Sequence, residues 1–230
     1  VSYYDMRGAA KALGGTLNTS FVTAVAHAAG KYHRELGAPV ESLRASMAIS
    51  TRNESSGSNA FTLARMLVPT ADMPIAERFS AINEILIAAR TGAESSSLEA
   101  LATISGVVPT SIITRLARSQ AETVDFATSN VRSAGVPLFM AGSQLLENYP
   151  VGPLGGVAFN VTLMSYMGSL DCGINIDEAA VESPTLLRDS LSQAFTELSA
   201  FAPERENKSS TPQAEGGATK QQRRWWRRSQ

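Results

Sequence analysis

The chain has 230 residues, 43% of them hydrophobic, with a formal net charge of −1. That is enough apolar material for a real core in one large domain or two small ones, and it excludes nucleic-acid binding by bulk electrostatics. The charge is uneven: residues 204–230 hold seven Lys/Arg and three Glu, a net of +4, which leaves −5 on the rest.

In chain order, Gly14-Gly15 break the backbone before a helix predicted over 17–36. Phe21, Val22, Val25, Ala29, Tyr32 and Leu36 share its apolar face at spacings of three and four. Thr16 or Asn18 can cap that helix, and Gly37-Ala38-Pro39 end it. Leu43, Ala45, Met47 and Ile49 alternate with Arg44, Ser46, Ala48 and Ser50, a strand with one buried face. Thr51–Asn59 reads as a polar loop, and Phe61–Val68 as a returning strand. Pro74 opens a helix with Ile75, Phe79, Ile82, Leu86 and Ala89 inward. Leu98–Val107 and Pro109–Arg118 read as two shorter helices.

From Asp125 the period changes to two. Val157, Phe159, Val161 and Leu163 form one alternating run, and Leu170, Cys172, Ile174 and Ile176 a second. Tyr166-Met167-Gly168-Ser169 between them predict an antiparallel hairpin. Four strand-like runs are expected between Asp125 and Asp177. Ser183-Pro184 start a last helix with Leu187, Leu191, Ala194 and Leu198 inward. The predicted class is α+β: a mixed sheet with helices packed on one face, in a single domain over residues 1–202. Residues 203–230 are Pro, Ser, Gly, Gln and charge, and are expected to form a disordered basic tail.

Little in the chain offers chemistry by itself. His27 and His33 are the only histidines, and both fall on the first predicted helix. Six residues of helix place them about 240° apart on the wheel, so they cannot share a ligand or act as a pair, and each reads as a polar residue near the helix surface. No Cys or carboxylate stands near them at metal-ligand spacing, and no metal is expected. Cys172 is the only cysteine. No internal disulfide can form, a reducing compartment fits, and the thiol reads as a small buried side chain on a strand, not a nucleophile. Gly152-Pro153-Leu154-Gly155-Gly156 read as a turn, because Pro153 lacks an N–H and no Lys-Ser/Thr follows. No run of about 18 apolar residues is present, so no membrane span is expected. The opening VSYYDMRGAA has neither the charged region nor the apolar core of a signal peptide, and reads as the interior of a domain. The tail residues Arg223, Arg224, Trp225, Trp226, Arg227 and Arg228 suit an anionic membrane or lipid-droplet surface. They suit single-stranded nucleic acid equally well, and an unselected disordered end is the third reading. No specific nucleic acid is expected.

Several segments in order carry a family likeness: Gly14-Gly15-Thr16-Leu17-Asn18, Ser129-Asn130-Val131, Pro137-Leu138-Phe139-Met140-Ala141-Gly142 and Tyr149-Pro150-Val151-Gly152-Pro153. Over about residues 8–200 the chain resembles the C-terminal part of the bacterial wax ester synthase/diacylglycerol acyltransferase family. The resemblance implies one half of a CoA-dependent (chloramphenicol acetyltransferase-like) acyltransferase fold. It also implies transfer of a fatty acyl group from acyl-CoA to diacylglycerol or a long-chain alcohol, with acyl-CoA as co-substrate and no cofactor; the alternative reading is a non-catalytic lipid-surface or partner-binding module. The family's His-His-x-x-x-Asp-Gly motif, which carries the general base, is not among these residues, so the base is expected in an N-terminal domain supplied in cis or in trans. By the resemblance, the protein is expected in the cytoplasm, peripheral at membranes or lipid inclusions. Asn18, Thr19, Ser129, Asn130, Pro137, Phe139 and Met140 are the implied supporting residues of the substrate tunnel. Two departures stand out: Thr19 occupies a place where the family usually has Asp, and Arg132-Ser133 replace a usual Pro-Gly. Each implied role has a plainer counterpart in the residues themselves. Asn18 reads first as an N-cap, Ser129-Asn130 as side chains bonding a turn, and Phe139 and Met140 as core residues on opposite faces of a strand.

Overall fold

The computed structural model describes residues 1–50, 61–95 and 123–204. The order of elements there is α1 (Tyr3–Ala12), α2 (Leu17–Glu35), β1 (Ser42–Ser50), β2 (Phe61–Pro69), α3 (Ile75–Ser95), β3 (Phe126–Arg132), β4 (Phe139–Met140), β5 (Ser143–Gln144), β6 (Phe159–Tyr166), β7 (Ser169–Ile176) and α4 (Pro184–Ser199). The α+β class holds. The five-stranded sheet runs β2-β1-β3-β6-β7, with antiparallel pairs at both ends and parallel pairing of β1 with β3 and β3 with β6. The expected loop at 51–59, the two expected helices within 98–118 and nearly all of the tail lie outside the described residues.

Helices cover one face of the sheet. α2 packs centrally against α3 and α4, and it is apolar nearly all round: Phe21, Val22, Ala24, Val25, Ala26, Ala28 and Ala29 are buried. The small residues among them let neighbouring helices approach. The strands contribute Ala45, Met47, Phe126, Phe159, Val161, Leu163 and Leu170 to the same core. Phe126 and Phe159 pair across parallel strands and stack at 5.1 Å. Leu187, Leu191, Ala194 and Leu198 face inward from α4, as their spacing predicts, and Pro184 stands in its first turn behind Ser183. The hairpin at 166–169 also holds: Met167 and Gly168 both have positive φ, as a type I′ turn requires.

The other face differs from expectation. Asn160 and Thr162 alternate with the core residues of β6, yet both are buried. Residues 137–156 are laid over them as a strap. Of the expected strand at 137–142, only Phe139–Met140 pair, with Ser143–Gln144, around a turn in which Ala141 and Gly142 have positive φ. The strap is pinned by side chains of the sheet. The Tyr166 hydroxyl donates to the Leu145 carbonyl at 2.9 Å and accepts from the Leu138 N–H at 3.0 Å. Asp171 accepts from the Asn148 N–H at 3.0 Å. Asn160 donates to the Pro153 carbonyl at 2.6 Å, and Asn175 donates to the Gly152 carbonyl. Gly173 must be glycine for this, since a Cβ there would collide with the Pro150 carbonyl. Helix α1, which the sequence reading did not place, is capped by Ser2 and packs on α2 and α4.

Candidate functional site

The start of α2 and the end of β3 meet. Gly15 brings the chain close under α3, and Thr16 caps α2 in a reciprocal box with Thr19. Asn18 is therefore not the cap. Its Oδ1 accepts a 2.6 Å hydrogen bond from Asn130 Nδ2, joining two residues 112 positions apart. Thr19 points the other way, into the helix layer, where its hydroxyl donates to Asn83 Oδ1 at 2.9 Å.

Ser129 and Asn130 are neighbours on β3 and so face opposite sides of the sheet. Asn130 is in register with Leu163 and turns to the helices; Ser129 is in register with Thr162 on the strap side. Phe139 and Met140 are not core residues. They are 66% and 73% exposed at the strap's hairpin, because the strap is held through its backbone and leaves these side chains outward. Pro137 lies just before that hairpin and is exposed as well. Val136, Leu146, Tyr149 and Val151 are also exposed. The expected site residues are thus divided: Asn18 and Asn130 pair on the helix face, Thr19 is tied to α3, Ser129 lies on the strap side, and Pro137, Phe139 and Met140 are exposed on the strap.

Neither histidine lies near the Asn18–Asn130 pair. His27 is nine residues along α2 from Asn18, about 13 Å at 1.5 Å per residue, and His33 is about 22 Å along. Burial lowers the pKa of His27, Arg78 lowers it further, and Glu197 at 3.6 Å acts in the opposite direction. The burial that disfavours its charged form comes from its place between helices, more enclosed than its expected surface position. His33 lines a half-open cleft of about 290 Å³ with Tyr32, Leu43, Asp125, Phe159 and Val181, at the end of the sheet away from Asn130. Within it, burial pulls the Asp125 carboxyl up, but side-chain and backbone hydrogen bonds from Arg44 outweigh that and hold it below the usual value. Cys172 lies on β7 and burial pushes its thiol up to about 12, which removes it as a nucleophile.

Sequence reasoning missed Asn83, which accepts from Thr19, and Tyr166 and Asp171, which hold the strap. Tyr166 and Asp171 carried one signal, a polar group inside or beside alternating strands; Asn83 on α3 carried none.

The model of one family, described as the WS/DGAT C-terminal domain, matches residues 57–199, more than half of the chain. The chain belongs to this family. Among curated proteins it is 28% identical, over 205 residues, to Mycobacterium tuberculosis proteins from two strains, each provisionally named as a diacylglycerol O-acyltransferase. The match covers 86% of this chain and 40% of those relatives, so the chain spans well under half of their length. Among solved structures it resembles a wax ester synthase/diacylglycerol acyltransferase from Marinobacter aquaeolei VT8, with a TM-score of 0.66 and 22% identity over 88% of this chain and 47% of that one. A condensation domain from the enacyloxin polyketide synthase gives a TM-score of 0.53 at 12% identity, over 93% of this chain and 41% of that one. Such likenesses speak for the fold: this WS/DGAT domain has the architecture seen in one part of those larger chains.

Proposed function

We propose that this WS/DGAT domain is the half of an acyl-CoA-dependent O-acyltransferase that walls the transfer site, while a His-His-x-x-x-Asp-Gly domain supplies the base. The acceptor is diacylglycerol or a long-chain alcohol. The observation that carries the reading is the Asn18–Asn130 pair, in which two segments of the family likeness meet toward the end of the central strand. Asn130 spends one N–H on Asn18 and keeps a second for a substrate carbonyl or for the oxygen on which charge develops. The base must abstract the acceptor's hydroxyl proton during attack on the thioester. Both histidines of this chain lie too far along α2 to do so. The domain's contribution is then position and orientation, with the bared apolar strap from Val136 to Val151 meeting the other domain or the acyl chain.

Among the described residues no helix is long and apolar enough to cross a membrane. Contact with a lipid surface would fall to the tail, where Arg223, Arg224, Arg227 and Arg228 flank Trp225 and Trp226. Loss of vesicle binding in a Trp225→Ala/Trp226→Ala variant checks that assignment.

The test of the main reading measures acyl transfer from palmitoyl-CoA to diacylglycerol and to hexadecanol. The chain is assayed alone and mixed with an N-terminal half that carries the histidine motif. Turnover is expected in the mixture only. Turnover by the pure chain, or silence in a mixture shown to form a complex, overturns the proposal.

A further inference from the structure

We propose that Asn83, on α3, is a positioning residue that sets the Asn18–Asn130 pair by hydrogen-bonding the turn of α2 that carries Asn18. The functional part of this inference rests on the reading that the pair lines the transfer site; the structural part does not.

The protons can be followed one by one. The Thr19 backbone N–H donates to Thr16 Oγ1 at 3.2 Å, and the Thr16 backbone N–H donates to Thr19 Oγ1 at 3.2 Å. The two hydroxyl oxygens lie 3.0 Å apart. Asn83 Oδ1, 2.9 Å from Thr19 Oγ1, can only accept, so the Thr19 proton goes there. The Thr16 proton is then the one that lies between the two hydroxyls. With Asn83 Oδ1 toward Thr19, the chain runs Thr16 to Thr19 to Asn83. Thr19 is buried, so without Asn83 its hydroxyl would have to turn back to Thr16 Oγ1, and α2 would lose its side-chain tie to α3 at this turn. Asn18 is the next residue on the same turn, and its amide reaches Asn130 on the other side. Close packing stiffens the junction: a Cβ on Gly15 would stand 2.9 Å from Asn83 Oδ1 and 2.6 Å from Phe79 Cζ. α3 is thus pressed against the turn that carries Asn18, and Asn83 is the polar contact that fixes its phase.

The amide also explains how a threonine fits at position 19. An asparagine side chain can turn over. It presents its carbonyl to a hydroxyl at 19, and would present its NH2 to a carboxylate there. Positions 19 and 83 therefore form a matched pair: a carboxylate at either position finds a donor at the other, and carboxylates at both do not.

The test follows the Asn130 side-chain amide by NMR in the full chain without substrate, with its signals assigned from Asn130→Ser and their unpaired position from Asn18→Ala. Asn83→Leu is expected to move the signals toward those of Asn18→Ala and to speed amide exchange by about fivefold or more, the scale of one hydrogen bond. Asn83→Asp keeps an acceptor for the Thr19 hydroxyl and is expected to keep the native signals. Thr19→Asp alone keeps them too, and Thr19→Asp with Asn83→Asp loses them. Should Asn83→Leu fail to fold, the two near-isosteric single variants and their double decide the matter by non-additivity. Native signals in a folded Asn83→Leu chain, or a double variant that behaves as the sum of the singles, overturn the proposal. In the mixed enzyme, Asn83→Leu should lower kcat with KM little changed, and an equal loss in KM alone counts against it. If the NMR outcome holds but the wild-type mixture is silent, the proposed function fails and the positioning contact stands.

Discussion

The two faces of the sheet are held by different physics. On the helix face, α2, α3 and α4 bury an apolar layer built from Phe21, Val25, Phe79, Phe126, Phe159 and Leu198. On the opposite face of β6 and β7, the strap at 137–156 is fastened at its backbone by Tyr166, Asp171, Asn160 and Asn175, and its Phe139, Met140, Leu146, Tyr149 and Val151 side chains stay in solvent. Hydrophobic burial needs only the right side chains on the right face and tolerates many partners. A polar fastening needs particular atoms at particular positions. The first kind of face stores stability. The second holds a segment in place while keeping it available to something else.

That contrast can be broken at its strongest point by Phe126→Ala. Removing a fully buried ring from the stacked pair with Phe159 should cost about 3–5 kcal/mol, read as a lower urea midpoint. Tyr166→Phe attacks the other face and removes both hydroxyl bonds to the strap. An overall loss of about 1–3 kcal/mol is expected, with faster hydrogen exchange confined to residues 137–146. If exchange rises equally in α2, the two faces are not separable.

His27 sharpens the helix side. Its pKa in the folded chain lies below the ordinary 6.5, so the unfolded chain takes up a proton first as the pH falls. The stability it contributes is complete above pH 6.5 and is lost as the pH drops toward the folded value. Glu197 limits that loss, while Arg78, Arg34 and Lys31 add to it. His27→Gln should flatten the unfolding midpoint against pH below 6.5, and an unchanged slope would remove His27 as its source. The smallest effect belongs to Phe139→Ser with Met140→Ser. With both side chains exposed, stability should change by about 0.5 kcal/mol or less, measured by thermal unfolding. The same variant should weaken the complex with the other half, measured by titration calorimetry.

The helix face was legible because burial imposes a period. Spacings of three and four marked Phe21, Val25 and Ala29 on α2, and Leu187, Leu191 and Leu198 on α4, and the structure buries all of them. The hairpin at 166–169 was legible through Met167-Gly168. The strap was misread as strand because Pro137–Gly142 is apolar, and apolar runs suggest burial. Nothing local says that Tyr166 and Asp171 will hold its backbone instead. Likewise Asn18 looked like a cap, since Asn beside an amphipathic helix usually is one. Thr16 holds that place, and only the long-range approach of β3 gives Asn18 its actual partner.

The sequence by itself determined the type of the long periodic elements, their inward faces, and the family likeness, because each of these is written in residue order at short period. The tertiary structure alone decided that Asn18 meets Asn130, that Thr19 is tied to Asn83, and that Phe139 and Met140 stand in solvent. Those outcomes depend on single hydrogen bonds between residues far apart in the chain. No local pattern encodes such a bond, because its partner is selected only when the sheet and the helix layer come together.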